Sequence, residues 1–169
     1  MASEEQPQFS DFVVWASTNP VSTWLIKHVA SPLDPLIFRA TGGRWTSMGP
    51  PSMPMLTLTM TGRRSGRPRS VQLACIVYRE QYLVVASAMG QEKHPGWRYN
   101  LEANPEVEVQ MTGERFQARA EVLTDAEKAE AWPEIQRVLP QMVVYENRTS
   151  RNIRVFRLVR SQPSENTPA

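Results

Sequence analysis

Residues 56–69, LTLTMTGRRSGRPR, dictate local architecture more firmly than any other part of the chain. Leu56, Leu58 and Met60 alternate with Thr57, Thr59 and Thr61. A period of two marks a half-buried β-strand, one set of side chains on each face. At Gly62 the alternation stops, and a turn begins that holds Arg63, Arg64, Arg67 and Arg69 with no acid among them. Gly62 and Gly66 let the backbone bend tightly and leave N–H groups uncovered, and Ser65 adds a hydroxyl. Arg-rich turns are often only solvated loops. Here the patterned strand places the turn rigidly, and four cations without counter-charge repel one another unless something external joins them. The turn therefore reads as a cradle for an anion with more than one negative oxygen, because guanidinium forks match phosphate and carboxylate bidentately.

The same reading extends along the chain. Glu106–Met111 alternates with Val107, Val109 and Met111 inward, and Arg115–Leu123 with Phe116, Ala118, Ala120 and Val122 inward. The nearly continuous apolar run Val71–Tyr78 predicts a central strand, which Arg79-Glu80 turns into Gln81–Ser87. Ile153–Val159 is the last strand. A short helix begins near Pro95 and ends at Asn104-Pro105. Thr124-Asp125-Ala126-Glu127 is a capping box opening a helix that Pro140 stops after about Leu139. About six mostly antiparallel strands joined by short turns, with helices inserted late, favour an α+β split or closed barrel over a doubly wound sheet. No G-x-G-x-x-G follows a strand, so a Rossmann nucleotide site is not expected.

The chain divides into an N-terminal helical arm and Pro/Gly-rich loop (1–54), the barrel (55–160) and a polar tail (161–169). In the arm, residues 1–8 read as disordered, and Phe9–Thr18 and Pro20–Ala30 as short helices, the second capped by Asn19 with Pro20 at its first position. Residues 9–30 either cover the barrel or make a peripheral membrane contact, although the polar face lacks the Lys and Arg usual for the latter. Asp34–Arg39 predicts a helical turn, and Thr41–Pro54 a lid or a linker. The 169 residues carry 19 basic and 17 acidic side chains, a balance that argues against a general nucleic-acid binder. The acidic, polar start is unlike a signal peptide, and the longest uncharged stretch, Phe12–Ile26, is too short to span a bilayer; a cytoplasmic protein is expected. Cys75 is the only cysteine and sits in an apolar pattern, which makes it a core residue. His28 and His94 are the only histidines and have no ligand spacing, so no metal is expected. The oligomeric state stays open.

A second constellation follows. Ala86-Ser87-Ala88-Met89-Gly90 ends a strand in small residues, and Pro95-Gly96-Trp97-Arg98-Tyr99-Asn100-Leu101 opens a helix shortly after. Ser87 is on one reading an ordinary strand-end residue, and Trp97 and Tyr99 simply pack the helix on the barrel. On the other, they offer a planar ring system a flat face and donors for its carbonyl edge.

Taken together, Thr59–Arg69, Ala86-Ser87 with Gly90, and Pro95, Trp97 and Asn100–Pro105 resemble the deazaflavin (coenzyme F420)-dependent nitroreductase family, split β-barrel oxidoreductases of actinobacteria. The resemblance covers roughly Met55–Val159. It implies that Arg63, Arg64, Ser65 and Arg69 hold the cofactor's phosphate and glutamate tail. It implies that Ser70, Val71, Gln72, Leu73 and Ala74 line the cofactor, and that Val85, Ala86, Ser87, Ala88, Gly96, Trp97, Arg98, Tyr99 and Asn100 meet the deazaflavin ring. Tyr145, before Thr149-Ser150-Arg151, matches a tyrosine that precedes a Thr-x-Arg motif. The chain departs from the pattern in Arg64 for lysine, Gln72-Leu73-Ala74 for Pro-Leu-Tyr, Ala88 for a frequent lysine and Met142 for a pocket tyrosine. A more open, apolar substrate pocket formed by Met142 and Tyr145 is expected.

The resemblance implies an F420-dependent oxidoreductase that passes a hydride from reduced deazaflavin to an electron-poor small molecule: an activated enone, a quinone or a nitro compound. Tyr145 or water supplies the proton, and Ser87 donates to the ring or to the acceptor oxygen. The alternative is a split-barrel carrier of a flavin, haem or fatty acid without turnover.

Overall fold

The computed structural model describes residues 31–46 and 53–161. The expected helices Phe9–Thr18 and Pro20–Ala30, residues 1–8, the middle of the Thr41–Pro54 loop and all but the first residue of the tail lie outside the described residues. In chain order the elements are α1 (Ser31–Ala40), β1 (Met55–Thr61), β2 (Pro68–Ala74), β3 (Ile76–Tyr78), β4 (Gln81–Val85), α2 (Gly96–Ala103), β5 (Glu106–Met111), β6 (Glu114–Val122), α3 (Asp125–Val138), α4 (Met142–Arg148) and β7 (Val155–Arg160).

Seven strands form one antiparallel sheet in the order β2-β1-β5-β6-β7-β4-β3. The run Val71–Tyr78 is not one central strand. It is two strands at opposite edges of the sheet, broken at Cys75, whose N–H donates to the Pro54 carbonyl at 2.9 Å. With only one residue between them, β2 and β3 can occupy opposite edges only if the sheet curls until those edges approach. That is the split barrel; Cys75 and Ile76 at the crossing are buried, while Val71–Ala74 are half-buried and Val77 is exposed.

The alternations predicted for β1, β5 and β6 fill the barrel. Leu56, Leu58, Met60, Val107, Val109, Phe116, Ala118 and Ala120 are buried together with Phe156 and Leu158 of β7. Val122 departs from the expected pattern: it is 40% exposed at the strand end, and Leu123 is buried instead, where the chain turns toward α3. Thr57 is also buried, because β1 has β2 on one side and β5 on the other, with α1 lying against β1 and β2. Phe38 of α1 is fully buried. The capping box forms as expected, with Thr124 Oγ1 accepting from the Glu127 N–H and the Glu127 carboxylate accepting from the Thr124 N–H. A second core joins β3, β4 and the end of β7 to α3 and α4 through Ile76, Leu83, Val85, Ile135, Leu139, Met142 and Tyr145. Cys75 is buried, and burial pushes its thiol up to about 12, too high for a nucleophile at neutral pH.

Candidate active site

The arginine turn is a closed hairpin between β1 and β2. Gly62 N–H donates to Arg67 O at 2.8 Å, and Gly66 N–H returns to Gly62 O at 2.8 Å. Gly62 leaves room for close approach: a Cβ there would stand 2.8 Å from Ser65 Oγ and 3.1 Å from Arg67 O, so the serine would have to turn away. Ser65 Oγ accepts from the Arg67 N–H, which leaves its own hydrogen to give. The Arg63 N–H donates to Asn100 Oδ1 at 3.1 Å, and the Arg63 guanidinium lies over the Tyr99 ring, 4.7 Å from its centre. The turn is thereby tied to α2. Among the described residues no carboxylate forms an ion pair with Arg63, Arg64, Arg67 or Arg69, whereas Arg79, Arg98, Arg119, Arg137 and Arg157 all have one.

Two cavities meet at this place. The first, 600 Å³, is lined by Arg63, Arg64, Ser65, Arg69 and Ser70 on one side and Tyr99 and Asn100 on the other. The second, 630 Å³, has Val71–Ala74 of β2 as one wall, Val85, Ser87 and Ala88 after β4 as another, and Leu139, Gln141, Met142 and Tyr145 as the third. Val71, Gly96 and Trp97 line both, so the two make one groove, cationic at one end and mainly apolar at the other. The structure thus brings together all but two of the expected cofactor-site residues. Ala86 lies in the core, and Arg98 turns to Glu102 at 2.7 Å; neither lines the groove.

Met89, Gln91, Lys93, His94, Leu139 and Gln141 line the second cavity without having been foreseen. The loop that carries several of them is unusual. Ala88, Met89 and Gly90 all have positive φ, at 47°, 55° and 73°, and two consecutive non-glycine residues in that region store strain. Arg151 holds the loop. Its guanidinium donates to the carbonyls of Gln91 at 2.7 Å, Ala86 at 3.0 Å and Ser87, and approaches His94 Nδ1 at 3.2 Å. The Thr149-Ser150-Arg151 motif therefore works by clamping the loop that presents Ser87. Gly90 completes the arrangement: a Cβ there would stand 2.9 Å from Tyr145 Cα and 3.1 Å from Tyr145 O. Gly90→Ala is expected to lower stability by about 1–3 kcal/mol, through positive φ and this collision together, measured from denaturant midpoints.

Two glutamines stand in the apolar half of the groove. The Gln72 amide nitrogen and oxygen and the Gln141 amide oxygen are buried without a hydrogen-bond partner, and both residues belong to the second cavity. Buried amides left unpaired cost free energy until something satisfies them. A ring system with a carbonyl edge, carrying a polyanionic tail, fits both halves.

Comparison with known proteins agrees with this geometry. Residues 35–160 match the family model described as F420H(2)-dependent quinone reductase. An F420H(2)-dependent quinone reductase of Mycobacterium tuberculosis is 36% identical over 146 residues, covering 83% of this chain and 98% of the relative. The solved F420-H2-dependent reductase FDR-A is 34% identical, with a TM-score of 0.57 over 62% of this chain and 93% of that one. A structure described as a domain-swapped dimer is 31% identical, with a TM-score of 0.59 over 76% and 99%. The haem storage protein HutZ of Vibrio cholerae, at 20% identity and a TM-score of 0.50 over 78% and 92%, shares the fold alone. With a family model spanning three quarters of its length and a curated relative matched almost end to end, this chain belongs to the F420H(2)-dependent quinone reductase family.

Proposed function

We propose that the chain is an F420H2-dependent reductase whose acceptor is a quinone, bound in the apolar half of the groove. The observation that carries the reading is the junction of the two cavities at Val71, Gly96 and Trp97, which joins an unpaired arginine cradle to an apolar chamber with unsatisfied amides. Arg63, Arg64, Arg69 and Ser65 would hold the phosphate and glutamate tail of F420. The walls formed by Ser70–Ala74, by Val85, Ser87 and Ala88, and by Gly96 and Trp97 would hold its ring, with Tyr99 and Asn100 at the tail end. When bound in its reduced form, F420 supplies the hydride. The chain's own residues bind, orient and manage the proton. Met142 and Tyr145 close the acceptor's side, Ser87 donates a hydrogen bond, and the buried wall excludes water.

Activated enones and nitro compounds share the electron-poor character of quinones and are the further acceptors to compare. We place the protein in the cytoplasm. Among the described residues no helix is long and apolar enough to cross a membrane, and a peripheral contact through residues 9–30 remains part of the proposal for a lipid-soluble acceptor.

The test is direct. Purified protein is incubated with F420, FMN and haem, and retention is read by absorbance after desalting. F420H2 oxidation is then followed with a quinone, an enone and a nitro compound. Retention of haem or FMN alone would favour the carrier reading, and F420 retention without oxidation by any quinone would remove the acceptor assignment. Ser87→Ala is expected to lower turnover about two- to tenfold, as loss of one neutral hydrogen bond does, with an unchanged thermal midpoint. A collapse of stability instead would make Ser87 structural.

A further inference from the structure

His94 belongs to the loop between Gly90 and α2 and borders the apolar cavity. Its Nδ1 stands 3.2 Å from Arg151 Nη1. A guanidinium has hydrogens to give and no lone pair to accept one. Nδ1 is therefore the acceptor, and the neutral ring carries its hydrogen on Nε2. Arg151 has no freedom to leave, because the carbonyls of Ala86, Ser87 and Gln91 fix it. The Tyr99 ring meets the imidazole edge-on, with centres 6.0 Å apart and planes at 88°, which sets the ring's orientation. Among the described residues Nε2–H has no acceptor. His94 itself stands at the wall of a chamber built largely from Val71, Leu73, Val85, Trp97 and Met142, with this donor free to bond a ligand.

The charges around the ring keep it neutral. Burial lowers its pKa below the ordinary 6.5, Arg98 and Arg151 lower it further, Arg154 adds to them, and only Glu102 opposes. A neutral imidazole held in that state has a single N–H, on Nε2, and can polarise a substrate carbonyl while Nδ1 keeps its bond from Arg151.

We infer that His94 is the donor that polarises the acceptor: its Nε2–H bonds the quinone carbonyl oxygen on which negative charge gathers during reduction. The inference rests on the quinone reading above. The balance is simple. The quinone takes up a hydride, two electrons and one proton, and becomes a hydroquinone monoanion. A second proton, from Tyr145 or water, completes the hydroquinone. His94 gives up no proton and stabilises the oxyanion by hydrogen bonding. Arg151 acts through it by fixing which nitrogen carries the hydrogen.

The experiment compares the wild type with His94→Phe and His94→Gln, using F420H2 and 1,4-naphthoquinone. Loss of one oxyanion donor costs about a hundredfold in turnover. His94→Phe is expected to lower kcat by about that factor, with F420 affinity within twofold by tryptophan fluorescence. His94→Gln, whose amide can still donate from the Nε2 position, falls less and loses the acid limb that the wild type shows at a pH below the ordinary histidine range, where imidazole protonation breaks the Arg151 contact. In parallel, ¹⁵N NMR of the cofactor-free wild type with labelled histidine should show the Nε2–H tautomer at His94, and its Nε2 signal should shift on adding 1,4-naphthoquinone.

A threefold or smaller change in kcat for folded His94→Phe overturns the inference. So does an Nδ1–H tautomer, or loss of F420 affinity in place of kcat, which would move His94 to the cofactor seat. If the wild type fails to oxidise F420H2 with any quinone, the proposed function falls; the NMR arm still decides His94, and an unmoved Nε2 signal sinks it separately.

Discussion

Tyr145→Phe is expected to lower turnover with a quinone about a hundredfold while F420 affinity stays unchanged. Tyr145 is 3% exposed, sits on α4 and walls the same cavity as Ser87 and Met142. Its backbone is packed against Gly90, so the side chain enters the chamber from a fixed position. A phenol is protonated at neutral pH, with a reference pKa of about 10, and can donate without tuning. General acids typically supply about a hundredfold or more. Phenylalanine keeps the ring and removes only the hydroxyl, so cavity shape is preserved and the proton is the variable under test. The measurement is single-turnover oxidation of bound F420H2, with cofactor affinity determined separately. Turnover within about twofold of wild type across several acceptors would make water the proton source and Tyr145 a wall.

The double variant Arg63→Ala, Arg64→Ala is expected to raise the F420 dissociation constant at least about a hundredfold. Each charge-assisted contact to phosphate or carboxylate contributes on the order of 1.5–3 kcal/mol, and about 1.4 kcal/mol is a factor of ten. Neither arginine has an acidic partner among the described residues, so relief of repulsion offsets the lost contact of Arg63 with the Tyr99 ring, and the thermal midpoint should change little. Titrations at low and high salt provide the second check. The wild type should weaken with salt and the variant should respond less, since these exposed charges are screened. An unchanged dissociation constant in the folded variant would remove the turn from the cofactor site.

The parts of this fold that were legible in sequence are those whose signal is local. The alternation of β1, β5 and β6 and the capping box at Thr124 each depend on neighbours a few residues away, and they formed as read except at Val122, where the end of β6 turns outward. The division at Cys75 was not legible, because β2 and β3 are separated by a single buried apolar residue and no Gly, Pro or charge marks the break. Helix α4, MVVYENR, has no side-chain cap and spans seven residues, too few for a period to show. At the site, the arginine turn announced itself by charge. The left-handed turn Ala88–Gly90 did not, since neither alanine nor methionine marks positive φ. Arg151 and His94 were hidden for a related reason: the clamp acts mainly through backbone carbonyls of a loop some sixty residues earlier.

The position of β7 has a consequence for synthesis. It lies between β6 and β4, yet it is made after every other described strand. Until it emerges from the ribosome, β2-β1-β5-β6 and the β3–β4 hairpin are separate ribbons, each with an open edge, and Arg151 has only just preceded it. Val85 and Ser87 then have no barrel to face. The nascent chain consequently carries its arginine turn, complete and local, well before it has a chamber for a ring. Strand pairings of such long sequence separation form slowly, and their exposed edges are open to intermolecular pairing meanwhile. The walls of the binding groove are therefore joined only when β7 pairs with both ribbons.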